Sequence, residues 1–238
     1  MTPQSSALAL SIAELGVLNR RFETEPAGAI VRWALEAFGT DRVCLTFSAQ
    51  DTVLVDIAVR VEPGIEVVFI DTGYHFPETL ETVEAARRRY GLNLRIMRVP
   101  QADPPLWQED PLNCCSAAKL SQLDAALEDK LAWLSGLRRV EAPTRSEAPI
   151  VGLDHRGLVK VNPLATWSDV DVKGYVADHD LVINPLIERG YHSIGCAPCT
   201  HPVGPDDSPR AGRWAGTDKT ECGLHTELPG PNGSARPR

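Results

Sequence analysis

The sequence predicts an α/β protein with a parallel sheet that carries helices on both faces. Short apolar runs rich in β-branched residues alternate with helical patterns of about 10 to 15 residues, as in βαβ units. The chain has 238 residues, and 43% of them are hydrophobic. This length and composition are sufficient for one α/β domain with a sizeable core.

The first half of the chain is predicted to contain three strands. Apolar residues at helical spacing predict two helices, at 8–18 and 30–38, before the first strand. The strands are expected at 43–48, 66–70 and 94–99, with helices between them at 51–61 and 77–90. Parallel sheets bind ligands at the carboxyl ends of their strands, which places a site near 48–51 and 71–74.

The second half is predicted to contain a helix, a strand, a hairpin and a last helix. They lie at 114–127, at 131–136, at 150–161 and from Ser168 onwards. The residues between the two hairpin strands, 154–157, are of the types that form hairpin turns. Ser168 and Asp171 have the spacing of a capping box, which begins a helix.

The composition changes after Cys199, where proline and glycine leave little room for regular structure. We expect residues 1–199 to form a single α/β domain and residues 200–228 to form a mobile C-terminal arm. The last stretch, 229–238, is rich in Pro, Gly and Ser and is expected to be disordered.

The net charge of −8 opposes binding to nucleic acid or to an anionic membrane. No stretch approaches the roughly 20 apolar residues that span a bilayer, and the first residues lack the basic region of a secretory signal. We therefore expect a cytoplasmic protein that binds neither nucleic acid nor membrane. The oligomeric state stays open, and a homo-oligomer is compatible with the sequence.

Six cysteines in a reducing compartment are more typical of metal binding or thiol chemistry than of disulfides. Four of them form two close pairs, Cys114 with Cys115 and Cys196 with Cys199. Thiolates that meet across a fold can hold zinc or an iron-sulfur cluster. The adjacent pair favours a cluster, because neighbouring thiolates are more easily aimed at two irons than at one ion. A zinc staple stays open as the alternative.

The other two cysteines have different surroundings. Cys44 lies in an apolar strand and is predicted to pack in the core. Cys222 lies in a polar stretch between Lys219 and His225, whose positive charges would lower the thiol pKa and favour a nucleophile. An exposed cysteine without a role is equally compatible with that spacing.

Six segments together resemble a known family, the phosphoadenylyl-sulfate and adenylyl-sulfate reductases. They are Thr46–Asp51, Asp71–Thr79, Gly136–Arg139, Ile194–Thr200, Arg210–Trp214 and Lys219–His225. The specific part of the match is E-C-G-x-H in the arm together with both cysteine pairs. The resemblance implies the adenine-nucleotide α-hydrolase-like fold, which is related to the PP-loop proteins.

The resemblance also implies an activity, the reduction of adenosine 5'-phosphosulfate to sulfite and AMP in sulfate assimilation and cysteine biosynthesis. Cys222 would be the nucleophile and would carry a thiosulfonate intermediate. Thioredoxin or a similar small dithiol protein would reduce this intermediate. The ligands of a 4Fe-4S cluster that acts through electrostatics would be Cys114, Cys115, Cys196 and Cys199.

One position departs from the family pattern. The family usually reads C-C-x-x-R-K after the first cysteine pair, and the arginine position is Ala118 in this chain. Lys119 keeps one positive charge near the cluster. We expect the change to affect the coupling between cluster and substrate without removing a ligand or the nucleophile.

Arginines can offset the repulsion between a thiolate and a dianionic sulfonyl phosphate, because guanidinium groups pair bidentately with its oxygens. The matched segments offer Arg138, Arg139, Arg210 and Arg213 for this role, beside Gly136. They form the first part of the predicted substrate site.

The nucleotide end of the substrate is expected near the first two strands. Ser48 follows a strand and precedes a helix, where backbone amides favour anions. This loop lacks the glycines of a PP-loop, in agreement with a protein that does not split ATP. The remaining predicted substrate-binding residues are Asp71, Thr72, Gly73, Lys219 and His225.

Two other functions are compatible with the sequence. One is a 3'-phosphoadenylyl-sulfate reductase, which a kinetic comparison of the two nucleotides would separate. The other is a zinc-stapled sulfur-transfer or tRNA-thiolation protein in which Cys222 accepts sulfur. Iron and acid-labile sulfide, as opposed to zinc, would distinguish these two classes.

Overall fold

The computed structural model describes residues 10–110, 114, 117–204, 206–215, 217, 219 and 221 of the chain. In this part of the chain the helices are α1 (Ile12–Phe22), α2 (Ala27–Phe38), α3 (Val53–Val61), α4 (Pro77–Tyr90), α5 (Leu106–Glu109), α6 (Ala117–Leu127) and α7 (Asp169–His179). The strands are β1 (Val43–Phe47), β2 (Glu66–Asp71), β3 (Asn93–Arg98), β4 (Ala132–Leu134), β5 (Val151–Leu153) and β6 (Val159–Val161).

The strands form one six-stranded sheet in the order β3-β2-β1-β4-β6-β5. All neighbouring pairs from β3 to β6 are parallel, and β5 pairs antiparallel with β6 at one edge. The predicted parallel sheet and the predicted hairpin are therefore confirmed. The short helix α5 was not predicted, because four residues carry too little periodicity to indicate a helix.

Both faces of the sheet are covered by helices, as predicted. Leu45 and Val67 belong to the larger cluster of buried residues, together with apolar side chains of α2, α3 and α4. Cys44 and Val68 are their neighbours in the strands and belong to a second cluster with α6. Successive side chains of a strand point to opposite faces. Cys44 is fully buried in this second layer, in agreement with its predicted place in the core.

The order of the strands reverses between β1 and β4. The chain moves outward from β1 through β2 to β3, and then returns to place β4 on the other side of β1. Such a reversal leaves a crevice at the carboxyl ends of the two central strands, and ligands of open α/β sheets bind there. The loops that follow β1 and β4 are therefore the structural candidates for a binding site.

The first part of the predicted C-terminal arm packs against the domain. His201 N donates to Gly212 O at 2.9 Å, and Trp214 N donates to Cys199 O at 3.0 Å. A Cβ atom at Gly212 would overlap the carbonyl oxygen of His201, so this close approach requires glycine. The division of the chain at residues 199 and 200 stays a prediction.

None of the helices in the described part of the chain combines the length and the apolar character that crossing a membrane would need.

Candidate functional site

A cavity lies at the carboxyl ends of β1 and β4, where the strand order reverses. Its walls come from the loops after these two strands, from α6 and from the segments around residues 194 and 212. The described polar side chains in its lining include Ser48, Gln50, Asp51, Lys119, Ser135, Arg138, Glu141, Arg145, Ser193, Cys196, Arg210 and Arg213, and Gly136 adds backbone.

The loop after β1 is held in place by two distant segments. Ile194 N donates to Gln50 Oε1 at 3.1 Å, and the side-chain amide of Asn184 donates to Ala49 O at 3.1 Å. Ala49 adopts a left-handed conformation with φ 58°, which is uncommon for a residue other than glycine. These contacts fix the backbone beside Ser48, and the loop is therefore a rigid wall of the cavity.

Asp51 brings an acidic group to this wall. Its Oδ1 atom accepts a hydrogen bond of 3.0 Å from Val53 N at the start of α3. Loss of water around the carboxyl raises the pKa of Asp51, while the Val53 N–H and the charge of Arg138 act in the opposite direction. The cavity thus has an acidic group, Asp51, in the wall formed by the loop after β1, in addition to its cationic groups.

The second predicted loop, Asp71 to Gly73, forms a turn at the end of β2. Gly73 N donates to Asp71 Oδ1 at 2.9 Å, and Gly73 has a φ of 72° that favours glycine. Thr72 Oγ1 lies 3.1 Å from Cys196 Sγ. Asp71, Thr72 and Gly73 are not among the described residues that line the cavity. The structure places Thr72 beside Cys196.

Arg138 and Arg139 point in different directions. Arg138 lines the cavity, and its Nη1 donates to Asp169 Oδ1 at 2.8 Å. Arg139 forms a two-pronged pair with Glu23, at 2.9 and 2.7 Å, and its Nε donates to Ala148 O at 2.8 Å. The predicted substrate residue Arg139 therefore ties the segment after β4 to the residue that follows α1, away from the described lining of the cavity.

Arg145 lines the cavity, whereas Arg139 is not among the described lining residues. It is the last residue of a 3-10 turn, Pro143–Arg145, and is only 8% exposed. Burial would lower the pKa of Arg145, but hydrogen bonds and charges from Glu221 and Glu141 raise it overall. Sequence reasoning missed this residue, since Pro-Thr-Arg-Ser has no pattern that separates a buried arginine from a surface one.

Arg210 and Arg213 complete the cationic wall. Both donate to Ser193 Oγ at 3.3 Å, and their guanidinium groups lie 5.5 and 4.4 Å from the ring centre of Trp214. Burial, followed by the charge of Arg145, lowers the pKa of Arg210 to about 10. Crowded guanidinium groups of this kind favour an anionic ligand, which would offset their mutual repulsion.

Members of both cysteine pairs lie near one tryptophan. Cys114 and Cys199 pack against the buried ring of Trp214, and Cys199 Sγ lies 3.6 Å from Cys196 O. A hydrogen bond from Cys199 lowers the pKa of Cys196 against the effect of burial, with help from the charge of Lys119. Cys115, the remaining predicted ligand, lies outside the described residues.

Two buried polar groups beside Cys199 bear on whether a metal group fits here. Trp214 Nε1 and Thr200 Oγ1 are buried and have no hydrogen-bond partner within the described structure. A buried donor normally has a partner, and the sulfur atoms of an iron-sulfur cluster would provide acceptors. The described residues alone contain no group of three His, Cys, Asp or Glu side chains that could hold a metal. A thiolate-held group at this place would therefore need Cys115 in addition to the described cysteines.

The last described residues of the arm also reach this region. Lys219 Nζ lies 5.6 Å from the centre of the Trp214 ring, and Glu221 forms an ion pair with Arg145. Cys222 and His225 are outside the described residues. The described part of the arm thus brings the residue before Cys222 to the arginines of the cavity.

Comparison with known proteins decides the family. The phosphoadenosine phosphosulfate reductase domain matches residues 42–202. The chain belongs to this family. Within it, an adenosine 5'-phosphosulfate reductase from Streptomyces coelicolor is 46% identical over 215 residues, which cover 87% of this chain and 91% of that protein. A protein of the same name from Rhodococcus erythropolis is 42% identical over 233 residues, with 90% and 94% covered.

Solved structures agree with the fold of this phosphosulfate reductase family. The phosphoadenylyl-sulfate reductase from Candida auris superposes with a TM-score of 0.72 at 24% identity, and the match covers 82% of this chain and 100% of that chain. FMN adenylyltransferase from Candida glabrata superposes with a TM-score of 0.59 at 16% identity, covering 87% and 72%. These likenesses confirm the predicted PP-loop-related fold.

Proposed function

We propose that the chain reduces adenosine 5'-phosphosulfate to sulfite and AMP, with Cys222 as the nucleophile. The observation that carries the proposal is the group of arginines, Arg138, Arg145, Arg210 and Arg213, in a cavity at the point where the strand order reverses. The names of the relatives at 42% and 46% identity support the same reaction.

The nucleotide would lie along the loop after β1. Ser48 and the start of α3 offer a hydroxyl group and backbone N–H donors at a helix N-terminus, where anions are favoured. Gln50 and Asn184 keep this loop in one conformation. A preformed loop lowers the entropic cost of binding.

The sulfonyl phosphate would lie against the arginines. A thiolate and this dianion repel each other, and guanidinium groups reduce that repulsion while they orient the sulfur atom for attack. Arg213 has a buried Nε without a partner within the described structure, so it has donor capacity for an oxygen of the substrate. Arg139, with its contacts to Glu23, is not part of this proposal.

The reaction would proceed in two transfers. The Cys222 thiolate attacks the sulfur atom, the bond between sulfur and the bridging phosphate oxygen breaks, and AMP leaves with the electron pair. Thioredoxin or a similar dithiol then attacks Cys222 Sγ in the resulting thiosulfonate and releases sulfite. The second thiol of the donor resolves the mixed disulfide, so the donor is oxidised by two electrons and Cys222 returns as a thiol.

Cys114, Cys115, Cys196 and Cys199 would hold a 4Fe-4S cluster. Bound there, the cluster would shape the electrostatics beside the substrate, while the electrons would come from the dithiol donor. The orphan donors of Trp214 and Thr200, together with the position of Lys119 near Cys196, support this assignment. Iron and acid-labile sulfide in the purified protein would support it, whereas zinc alone would contradict it.

Adenylyl sulfate is the favoured substrate over its 3'-phosphorylated form. The relatives at 42% and 46% identity, which are named adenosine 5'-phosphosulfate reductases, support this choice. The values of kcat/KM for the two nucleotides, measured side by side, test this choice. A preference for the 3'-phosphorylated nucleotide would reverse it.

The decisive experiment is an anaerobic assay of sulfite release from adenylyl sulfate with thioredoxin. The wild-type protein should release sulfite and AMP, and Cys222→Ser should release neither. Cys44→Ala is the matched control, because Cys44 is buried in the core and is not among the described residues that line the cavity, and it should keep the activity. Sulfite release by Cys222→Ser, or none by the wild-type protein, would contradict the proposal.

A further inference from the structure

The carboxylate of Glu221 is held by several donors. Arg145 donates from Nε to Oε1 and from Nη2 to Oε2, both at 2.8 Å. Arg210 Nη2 donates to Oε2 at 3.0 Å, and Thr144 Oγ1 donates to Oε1 at 3.0 Å. Partners 76 and 11 residues away in sequence therefore meet on one side chain of the arm.

This contact differs from an ordinary surface ion pair. The side chain of Arg145 is 9% exposed and that of Glu221 is 20% exposed, so both charges are largely removed from water. The planar guanidinium meets the carboxylate in a two-pronged geometry, which is stronger and more directional than a single contact. Exposed pairs contribute little, whereas a shielded pair of this geometry can hold a loop in one position.

The guanidinium of Arg145 donates to two carboxylates, one of them on the arm. Its Nε and Nη2 atoms donate to Glu221, and its Nη1 atom donates to Glu141. Two carboxylates thus surround this guanidinium. Arg210 also contacts Glu221, and both arginines line the cavity beside Arg213.

We propose that Glu221 is a positioning residue, which docks the arm on Arg145 and Arg210 and thereby sets where Cys222 meets the sulfonyl group. The inference deepens the proposed function and rests on it for the identity of the transfer. Consecutive Cα atoms are about 3.8 Å apart, so a docked Glu221 confines the next residue to the neighbourhood of the cavity. A nucleophile confined in this way avoids most of the entropic cost of finding its target.

The test measures arm docking and sulfur transfer separately. Trypsin cleaves after Lys219, two residues before Glu221, so the rate at which the native protein loses the peptide 220–238 reports release of the arm. Transfer is measured as the single-turnover rate of thiosulfonate formation on Cys222 without a dithiol, by intact mass. The affinity for AMP is measured by calorimetry, and the thermal midpoint reports folding.

Glu221→Gln keeps the shape of the side chain and removes its charge. We expect cleavage after Lys219 to rise by about tenfold and thiosulfonate formation to fall by about tenfold, since a charge-assisted pair is lost. The affinity for AMP and the thermal midpoint should stay close to those of the wild-type protein. Thr144→Val, which removes one contact to Glu221 outside the cavity lining, should change both rates in the same direction by a smaller factor.

The matched control is Glu36→Gln, an exposed position on α2 that should leave both rates unchanged. Glu221→Asp should restore part of the transfer rate. Unchanged cleavage or unchanged transfer in Glu221→Gln would overturn the proposal. Faster transfer with tighter AMP binding would also overturn it, because Glu221 would then compete with the substrate for the arginines.

The outcome is separable from that of the proposed function. If the wild-type protein forms no thiosulfonate while Glu221→Gln still releases the arm, the proposed reaction fails and the docking contact stands. If the wild-type protein forms thiosulfonate and the variant does so at the same rate, the positioning role fails and the reaction stands.

Discussion

Gly195 and Arg213 lie so close together that a side chain at residue 195 would overlap the guanidinium group. A Cβ atom there would meet the Nη2 and Cζ atoms of Arg213. Arg213 Nη1 also donates to Ser193 Oγ at 3.3 Å, and the guanidinium lies 4.4 Å from the centre of the Trp214 ring. The glycine beside the second cysteine pair therefore leaves the space that a cavity arginine occupies.

Replacement of this glycine should weaken the reaction with adenylyl sulfate. In Gly195→Ala, the displaced Arg213 loses its alignment with the substrate, and kcat/KM should fall by about tenfold or more, as for a lost charge-assisted contact. Gly174→Ala is the control, because a Cβ at this helical position meets no atom within 4 Å. The control should keep kcat/KM and gain about 0.5–1 kcal/mol of stability. Equal kcat/KM in both variants would contradict the assignment of Arg213.

The two arginines Arg210 and Arg139 should respond differently to the same substitution. Arg210→Gln removes a charge from the cavity, so KM for adenylyl sulfate should rise by about tenfold. Arg139→Gln breaks the pair with Glu23 instead and should lower the thermal midpoint without a comparable change in KM. Steady-state kinetics and thermal unfolding of both variants check this. A large rise of KM in Arg139→Gln would return Arg139 to the substrate site.

Docking of Glu221 should not depend on pH near neutrality. Although burial opposes it, the hydrogen bond and charge of Arg145 hold the pKa of Glu221 below its usual value. A carboxyl with a lowered folded-state pKa contributes its full stabilisation above its unfolded pKa of about 4.3, and loses it only as pH falls through the lower folded value. The ratio of trypsin cleavage rates between Glu221→Gln and the wild-type protein should therefore be constant between about pH 6 and pH 8. A ratio that approaches one at the acidic end would mean that Glu221 titrates there.

The fold could be predicted from the sequence because each buried strand has a distinct local pattern. The run at Val43–Phe47 and the capping box at Ser168 are complete signals within a few residues. The family motifs likewise located Ser48, Arg138, Arg210 and Arg213, which all line the cavity.

The remaining part of the site depends on long-range contacts that local patterns do not contain. Arg139 and Arg145 both lie in a polar stretch, and the local sequence does not distinguish them. Arg139 pairs with Glu23 only because α1 packs against β5. Arg145 owes its place to Glu221, a partner 76 residues away. The contact between Thr72 Oγ1 and Cys196 Sγ depends in the same way on two segments 124 residues apart.

The metal content should depend on the paired cysteines and not on Cys44. Cys199→Ala should lose most of its iron and acid-labile sulfide, because one of the four proposed thiolate ligands is removed. Cys44→Ala should keep both, since Cys44 lies in the core layer with α6. Iron and sulfide analysis of the anaerobically purified variants, with far-UV circular dichroism as the folding control, checks this. Full iron in Cys199→Ala would exclude Cys199 as a ligand.

Asn184 should couple the stability of the domain to substrate binding. It is fully buried, its side-chain amide donates to Ala49 O and Thr79 Oγ1, and its backbone N–H donates to Gln50 O at 2.9 Å. Asn184→Ala would leave Ala49 O and Thr79 Oγ1 without their side-chain donor, which should lower the free energy of unfolding by about 1–3 kcal/mol.

The same change frees the loop that carries Ser48, so KM for adenylyl sulfate should also rise. Urea unfolding measures the first effect and steady-state kinetics the second. Asn93→Ala is the control, because its amide donates to Gly64 O at an exposed position and its loss should cost no more than about 0.5 kcal/mol. If Asn184→Ala lost stability while KM stayed constant, the loop after β1 would hold its shape without Asn184, and the rigid wall would have to be attributed to Gln50 and Ile194.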